Sequence, residues 1–186
     1  MTRLASDDVK SIPAELADYD AELTAKTGYS LRGVACLAAG LPEEEIKDSL
    51  LKNARIGVIP ITGGEGVIAG FCDAVAGIAS HLGCETFITQ APDVAGLAEA
   101  FEKKADIIML ADDRRFIALH AASRRLVENA IATAEGFVAG LNLMAGGLNK
   151  RNVLVIGCGP VGLAVIAGLR LKNVEPIIAA DFSPMR

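Results

Sequence analysis

The sequence has no tryptophan and few other aromatic residues, which together make up 4% of its 186 residues. Because apolar residues still account for 52% of the chain, the core must be built from aliphatic side chains. Basic residues form no cluster, and 18 Lys and Arg against 23 Asp and Glu give a net charge of -5. We therefore expect no nucleic-acid partner, since binding to a phosphate backbone requires clustered Lys and Arg.

Paired cysteines and long apolar runs are also missing. The four cysteines lie far apart, and none forms the CxxC pair that is typical of zinc and redox sites. We expect reduced cysteines, no metal site and a cytoplasmic protein. The uncharged segment 153–169 falls short of the ~20 residues that cross a membrane, and glycines and a proline interrupt it, so we expect no membrane partner.

The hydrophobic pattern divides the chain into three parts and predicts an α/β fold. Residues 1–52 have the apolar spacing of short helices and are predicted to form an N-terminal helical cap. Strands and helices alternate over residues 53–149, which predicts a small parallel-sheet α/β substrate domain with a linker helix over 127–145. Residues 150–186 are predicted to be the first β-α-β of a Rossmann domain.

Within the substrate domain, the β-branched run 56–62 has no polar alternation, as is typical of a strand buried on both faces. The glycine-rich stretch 63–66 is predicted to open the helix that follows, and 116–119 to add a strand. Ligands of parallel sheets bind at the carboxyl ends of the strands. The places where a site is expected are therefore the loop that begins at Thr62 and the pair Asp112 and Asp113.

A Gly-x-Gly-x-x-Gly pattern follows the predicted strand 153–156 and opens a predicted helix. Its first glycine suits a tight turn, its second lets the backbone approach a pyrophosphate, and its third lets helix and strand pack closely. The free N–H groups of the helix N-terminus favour the phosphates of a dinucleotide. The residues predicted to bind the cofactor are Gly157, Cys158, Gly159, Pro160, Val161, Gly162 and Asp181.

Asp181 follows the next predicted strand, where an acid can accept hydrogen bonds from the adenosine ribose. It favours NAD, because a carboxylate repels the 2′-phosphate of NADP. NADP stays open as the alternative, since Ser183 and Arg186 could hold that phosphate. Because the chain supplies only the first β-α-β of a sheet of about six strands, we expect either a fragment or completion by a second chain or a homo-oligomer.

The chain resembles the PylD family, the dehydrogenases that perform the last step of pyrrolysine biosynthesis, and it corresponds to the first two thirds of such proteins. The resemblance is carried by these stretches: Leu4 within 1–8, then 27–28, 32–36, 57–66, 87–89, 92–96, 109–113 with Phe116, and 157–162. The glycine motif is common to many dehydrogenases. The stretches 57–66 and 109–113 are more particular to this family.

The resemblance implies NAD-dependent oxidation of the terminal amine of N6-(3-methyl-D-ornithyl)-L-lysine, a small dipeptide-like substrate. The resulting imine or aldehyde closes on the other amine to form the pyrroline ring. By the same resemblance, Leu4 folds over the substrate, and Asp112 is the catalytic residue that manages protons and the ammonium group. Leu4, Thr62, Gly63, Glu65 and Asp112 are then the substrate-binding residues.

Other interpretations stay open at this point. Asp112 and Asp113 suit turns or helix caps as well as a substrate, and Glu65 suits solvent equally well. A different two-domain NAD(P) dehydrogenase, either dipicolinate synthase-like or shikimate dehydrogenase-like, is the second hypothesis, although the Lys and Asp pair of the latter is missing. A non-catalytic cofactor-binding or assembly subunit is the third hypothesis, and we expect the chain alone to lack full activity.

Overall fold

The computed structural model describes residues 5–41 and 48–182, and it describes no side chains for residues 48–50. Leu4, Ser183 and Arg186 lie outside the described residues. The described elements are, in chain order, α1 (Ser6–Val9), α2 (Ile12–Thr27), α3 (Leu31–Ala38), α4 (Asp48–Asn53), β1 (Arg55–Ile59), α5 (Phe71–His81), β2 (Glu85–Ile88), α6 (Asp93–Glu102), β3 (Ile107–Ala111), β4 (Phe116–His120), β5 (Arg125–Glu128), α7 (Asn129–Met144), β6 (Val153–Ile156), α8 (Pro160–Leu171) and β7 (Ile177–Ala180).

The chain forms two compact units. Within the described residues, the five-strand unit comprises 5–21 and 48–129, and the two-strand unit comprises 22–41 and 130–182. Helices and strands are mixed in both, which confirms the predicted α/β class. The predicted domain boundaries stay predictions. No helix within the described residues has the length and apolarity that a membrane span requires.

The five-strand unit has one sheet in the order β2-β1-β3-β4-β5. Strands β2, β1 and β3 are parallel, as predicted. Strands β4 and β5 are antiparallel to their neighbours, so the predicted parallel sheet is part of a mixed one. The reason lies in the connections: turns of four residues, 112–115 and 121–124, join these strands, and such short links allow only antiparallel pairing.

Strand β1 is buried on both faces, as its unbroken apolar run predicts. On one face Ile59 packs with Ala100 of α6 and with Ile108 of β3. On the other face Val58 packs with Cys72 and Val75 of α5. The two helices therefore enclose the centre of the sheet, and only the ends of β1 reach its rim.

Several element ends differ from the predicted ones. Strand β1 ends at Ile59 rather than at residue 62, because Pro60 has no N–H to continue the ladder. Helix α5 begins at Phe71 rather than in the stretch 63–66, after Gly70, whose positive φ of 83° makes the turn. The linker helix begins at Asn129, because residues 125–128 pair with β4 as β5.

The two-strand unit contains a β-α-β arrangement. Strands β6 and β7 are parallel, Val155 lies opposite Ala179, and α8 connects them. One face of the strand pair is packed. There Val155 joins Leu169 of α8 and Val138 of α7 in an aliphatic core, together with Leu148 and Val174.

Gly96 permits the close packing of α6 on the end of β1. A Cβ at this position would lie 2.4 Å from the Ala91 carbonyl oxygen and 2.7 Å from Ile59 Cγ2. We expect Gly96→Ala to lower the free energy of unfolding by about 1–3 kcal/mol, because backbone must move to admit the methyl group. Urea denaturation measures the change.

Gly63→Ala is the control in the same unit, since a Cβ there meets no atom within 4 Å. It should change the free energy of unfolding by less than about 0.5 kcal/mol. Equal stabilities for the two variants would show that α6 packs more loosely than described.

Candidate functional site

The loop that follows β1 starts at the carboxyl end of the central one of the three parallel strands. Strand β1 lies between β2 and β3, so this loop, residues 60–66, emerges between the loops that follow those two strands. Thr62, Gly63 and Glu65, predicted to bind substrate, are all exposed in it. The carboxyl end of the sheet thus places these three residues where ligands of parallel sheets bind.

Asp93, the first residue of α6, holds one side of this loop. Its Oδ1 accepts the Thr62 N–H at 2.8 Å, and its Oδ2 accepts the Thr62 hydroxyl. The Asp93 N–H in turn donates to the Pro60 carbonyl at 3.0 Å. The Thr62 hydroxyl uses its hydrogen in the bond to Asp93. The lone pairs of the hydroxyl oxygen can therefore accept a hydrogen bond from another group.

Asp113 lies against the other side of the loop. Its Oδ2 accepts the Glu65 N–H at 2.8 Å. A Cβ at Gly64 would lie 1.9 Å from the same oxygen, and Gly64 has a positive φ of 70°. Only glycine allows the loop to approach the carboxylate so closely.

Asp112 begins the turn between β3 and β4. Its Oδ1 accepts the N–H groups of Arg114 at 2.8 Å and Arg115 at 2.7 Å, and its own N–H donates to the Arg115 carbonyl at 2.9 Å. The turn role that the sequence left open is therefore present. Only one carboxylate oxygen takes part in it, so the same side chain can still contact a ligand through Oδ2.

Hydrogen bonds favour the ionised form of Asp93 and of Asp112. The hydroxyl and N–H of Thr62 lower the pKa of Asp93 below its usual value. The N–H groups of Arg114 and Arg115, aided by their guanidinium charges, lower the pKa of Asp112. Both groups are negative at neutral pH, so this end of the sheet suits a cation better than an anion.

Glu99 supports the segment that leads to Asp93. Glu99 lies in the second turn of α6, where its Oε2 accepts the N–H groups of Gln90 and Ala91, and Lys103 Nζ lies 2.7 Å from its Oε1. These bonds lower its pKa to about 2, with the Ala91 N–H as the largest cause. The connection from β2 to α6 is thereby held from the helix side.

The glycine motif of the two-strand unit forms a tight loop between β6 and α8. Gly157 has a positive φ of 96°, and a Cβ at Gly162 would lie 1.8 Å from the Gly157 carbonyl oxygen. At Gly159 a Cβ would meet no atom within 4 Å, so the space over the backbone is open there. Each glycine thus has the geometry that its position in a dinucleotide fingerprint requires.

Asp181 follows β7 and lies beside this loop. Its Oδ2 accepts the Cys158 N–H at 2.5 Å, and the Gly157 N–H donates to the Ala180 carbonyl at 2.7 Å. Pro160 and Val161 form the first turn of α8. The structure therefore brings all seven residues predicted to bind the cofactor to the carboxyl ends of β6 and β7.

Sequence reasoning overlooked Asp93 and left the role of Asp113 open. Both carboxylates hold the loop after β1. The start of a helix directly after a strand was a signal for Asp93, since acids are favoured there. Nothing in the sequence showed that its side chain reaches Thr62, 31 residues away.

A family model described as the N-terminal domain of the pyrrolysine biosynthesis protein PylD matches residues 8–127. The chain belongs to the PylD family. The matched region includes β1 to β4 and most of β5, and with them the loop of Thr62 and the turn of Asp112. The family resemblance seen in stretches 57–66 and 109–113 is thereby confirmed.

Two curated relatives extend the PylD likeness beyond this domain. The pyrrolysine synthase of Methanosarcina barkeri is 30% identical over 184 residues, which are 98% of this chain. The pyrrolysine synthase of Methanosarcina acetivorans is 28% identical over 175 residues, which are 93% of this chain. In both cases the chain spans 63% of the length of the relative.

The bonds of Glu99 predict acid sensitivity. A carboxylate whose pKa falls from 4.5 to about 2 on folding stabilises the protein above its unfolded pKa, and this contribution is lost as the pH drops between those values. Glu99→Gln lacks the charge, so we expect a shallower loss of stability over that range. Denaturation midpoints at a series of pH values measure it.

The control is Glu102→Gln on the same helix, whose side chain is exposed. It should reproduce the slope of the parent chain. If Glu99→Gln also does so, the bonds to Gln90 and Ala91 are too weak to matter in solution.

Proposed function

We propose that this chain acts in pyrrolysine biosynthesis, as part of an enzyme that uses NAD to oxidise the terminal amine of N6-(3-methyl-D-ornithyl)-L-lysine. The observation that carries the proposal is the match of residues 8–127 to the PylD family. The two relatives named pyrrolysine synthase support it over nearly the whole chain.

The glycine loop fits a dinucleotide. Open space over Gly159 and the closely packed Gly162 form a cradle that side chains would fill. Gly157, Cys158, Gly159, Pro160, Val161 and Gly162 would hold the pyrophosphate, with Asp181 on the ribose, at the start of a Rossmann domain. When bound, NAD supplies a hydride acceptor for the carbon that bears the amine.

The five-strand unit supplies groups suited to an amine substrate. The Thr62 hydroxyl donates to Asp93 and can therefore accept a hydrogen bond from an ammonium N–H. Asp112, whose pKa is lowered by the N–H groups of its turn, can form an ion pair with an ammonium group. Gly63 and Glu65 lie beside Thr62 in the exposed loop and complete the proposed substrate contacts.

The lowered pKa of Asp112 also limits its part in proton transfer. An ammonium group must lose a proton before hydride can leave the adjacent carbon, and a carboxylate with a depressed pKa is a weak base near neutral pH. We therefore assign Asp112 mainly to binding and orienting the ammonium group. Water would accept the ammonium proton before the hydride is transferred.

Cofactor binding is tested with Asp181→Ala. We expect the Kd for NAD to rise by a factor that corresponds to about 1–3 kcal/mol, because the ribose hydroxyls lose a charged acceptor. Calorimetric titration of NAD measures the change. Glu175→Ala removes an exposed acid at the opposite end of β7 and should leave the Kd unchanged. Equal affinity in both variants would remove Asp181 from the site.

Substrate binding is tested with Asp112→Asn. Asparagine keeps an oxygen for the N–H groups of Arg114 and Arg115 but loses the charge, so the turn should persist while the dipeptide binds more weakly by about 1–2 kcal/mol. Titration with N6-(3-methyl-D-ornithyl)-L-lysine measures it. Asp73→Asn, at an exposed position of α5, is the control.

Turnover separates the proposed function from its alternatives. The chain is mixed with NAD, the dipeptide and the part of the Methanosarcina barkeri relative that the match does not cover, and NADH absorbance is followed. NADH formation supports the proposal. NAD binding without NADH would favour a non-catalytic subunit, and NADH with other substrates alone would favour a different two-domain dehydrogenase.

A further inference from the structure

Asp93 has an unusual backbone conformation for the first residue of a helix. Its φ is 54°, in the left-handed region that residues other than glycine rarely adopt. Aspartate and asparagine tolerate this region better than most residues, because their short polar side chains bond to nearby backbone groups. A residue in this conformation is held there by the contacts around it, and such residues cluster at functional sites.

Three hydrogen bonds hold Asp93, and all of them join it to the loop after β1. Its N–H donates to the Pro60 carbonyl at 3.0 Å. Its Oδ1 accepts the Thr62 N–H at 2.8 Å, and its Oδ2 accepts the Thr62 hydroxyl. Because an ionised carboxylate only accepts hydrogen bonds, the direction of the bond to the hydroxyl is fixed, with Thr62 as the donor.

The segment that precedes Asp93 is held independently of the loop. Thr89, which is 3% exposed, donates its hydroxyl to the Ala91 carbonyl at 2.8 Å. From the helix side, Glu99 accepts the Ala91 N–H at 3.0 Å. The carboxylate of Asp93 therefore meets Thr62 from a fixed support, and the orientation of the hydroxyl follows from it.

We propose that Asp93 is a positioning residue that holds the Thr62 hydroxyl as a hydrogen-bond acceptor and thereby makes the loop selective for an ammonium group. With its hydrogen directed to Asp93, the Thr62 oxygen offers only lone pairs to a ligand. An ammonium group has three hydrogens to donate and no lone pair, so it matches this oxygen. This inference rests on the proposed function for its amine substrate and adds the residue that sets the selectivity of the site.

Asp93→Asn reverses the arrangement with little change in shape. Asparagine tolerates a positive φ, and its side-chain oxygen can still accept the Thr62 N–H. Its amide group donates, however, so the Thr62 oxygen becomes the acceptor of that bond and the hydroxyl hydrogen is directed to the ligand. A hydrogen at that place repels an ammonium group, whereas a hydroxyl group of a ligand can accept it.

Calorimetric titration compares N6-(3-methyl-D-ornithyl)-L-lysine with its analogue that has a hydroxyl group in place of the terminal amine. In Asp93→Asn, we expect the Kd of the dipeptide to rise at least about tenfold, because a hydrogen bond from a charged donor is lost. The Kd of the analogue should change less than about twofold, since a hydroxyl group can donate or accept. Asp73→Asn, also an acid in the first turn of a helix, is the control and should change neither Kd. Urea denaturation checks that both variants fold.

A double-mutant cycle separates the orientation of Thr62 from the charge of Asp93. Thr62→Val removes the hydroxyl and keeps the N–H that Asp93 accepts. If Asp93 acts through the hydroxyl, Asp93→Asn should change the Kd of the dipeptide less than about twofold in the Thr62→Val background. Thr62→Ser keeps a hydroxyl and should retain the selectivity of the parent chain.

A measurement without ligand follows the hydrogen bond itself. The hydrogen bond from the Thr62 side chain is the largest cause of the lowered pKa of Asp93. In a carbon-13 NMR titration of the Asp93 carboxyl group, the pKa should therefore be higher in Thr62→Val than in the parent chain. In Thr62→Ser it should stay close to the parent value.

Three results would overturn the proposal. An equal loss of affinity for both ligands in Asp93→Asn would make Asp93 a structural support alone. An equal loss with and without the Thr62 hydroxyl would assign the effect to charge. An unchanged pKa of Asp93 in Thr62→Val would show that the hydroxyl donates to another group.

Failure of the proposed function has a different signature. A parent chain that binds neither the dipeptide nor its analogue would count against that function. In that case n-butylammonium and n-butanol replace the two ligands, with the Thr62 amide resonance as the readout. The same loss of selectivity in Asp93→Asn would support the role of Asp93, and equal behaviour of both probes would overturn it.

Discussion

Burial of β1 on both faces is the constraint on which the candidate substrate site depends. With α5 on one side and α6 on the other, the strand can present polar groups only where it ends. Its position between β2 and β3 then decides which residues lie next to the loop. Asp93 follows β2 and Asp113 follows β3, so a carboxylate flanks the loop on each side.

Both candidate sites rely on a glycine that admits a close neighbour, but the neighbours differ. At Gly64 the neighbour is a carboxylate oxygen of Asp113, and at Gly162 it is the backbone carbonyl of Gly157. The first contact fixes a loop beside charged side chains. The second brings a helix N-terminus against a strand end, where its N–H groups can meet phosphates. The same residue type thus shapes the loop of each candidate site, one beside carboxylates and the other at a helix N-terminus.

Much of the architecture follows from local sequence patterns. The unbroken apolar runs of β1, β3 and β6 predict strands, and the glycine motif predicts the turn into α8, because both signals are short in range. Strand β5 was missed because no glycine or proline separates Arg125–Glu128 from the helix that begins at Asn129. Its pairing is decided by β4, which is a tertiary effect.

The site was predictable only in part, for the same reason. Thr62 and Asp112 were expected in a site because they lie at the carboxyl ends of predicted strands, Glu65 because of the family resemblance, and Gly157 to Gly162 because their spacing is a known pattern. The hydrogen bond between Thr62 and Asp93 depends on how α6 packs on β1. Gly96 allows this close packing because it has no side chain. Such contacts join residues far apart in the chain, and no local pattern encodes them.

The hydrogen bond between Asp181 and Cys158 has a consequence for any hydroxyl-bearing ligand at the glycine loop. The carboxylate is already oriented by the loop N–H, so its rotational freedom is restricted when the chain folds rather than when the ligand arrives. Recognition at this position is therefore prepared in advance, and the entropic penalty of arranging the acid belongs to folding.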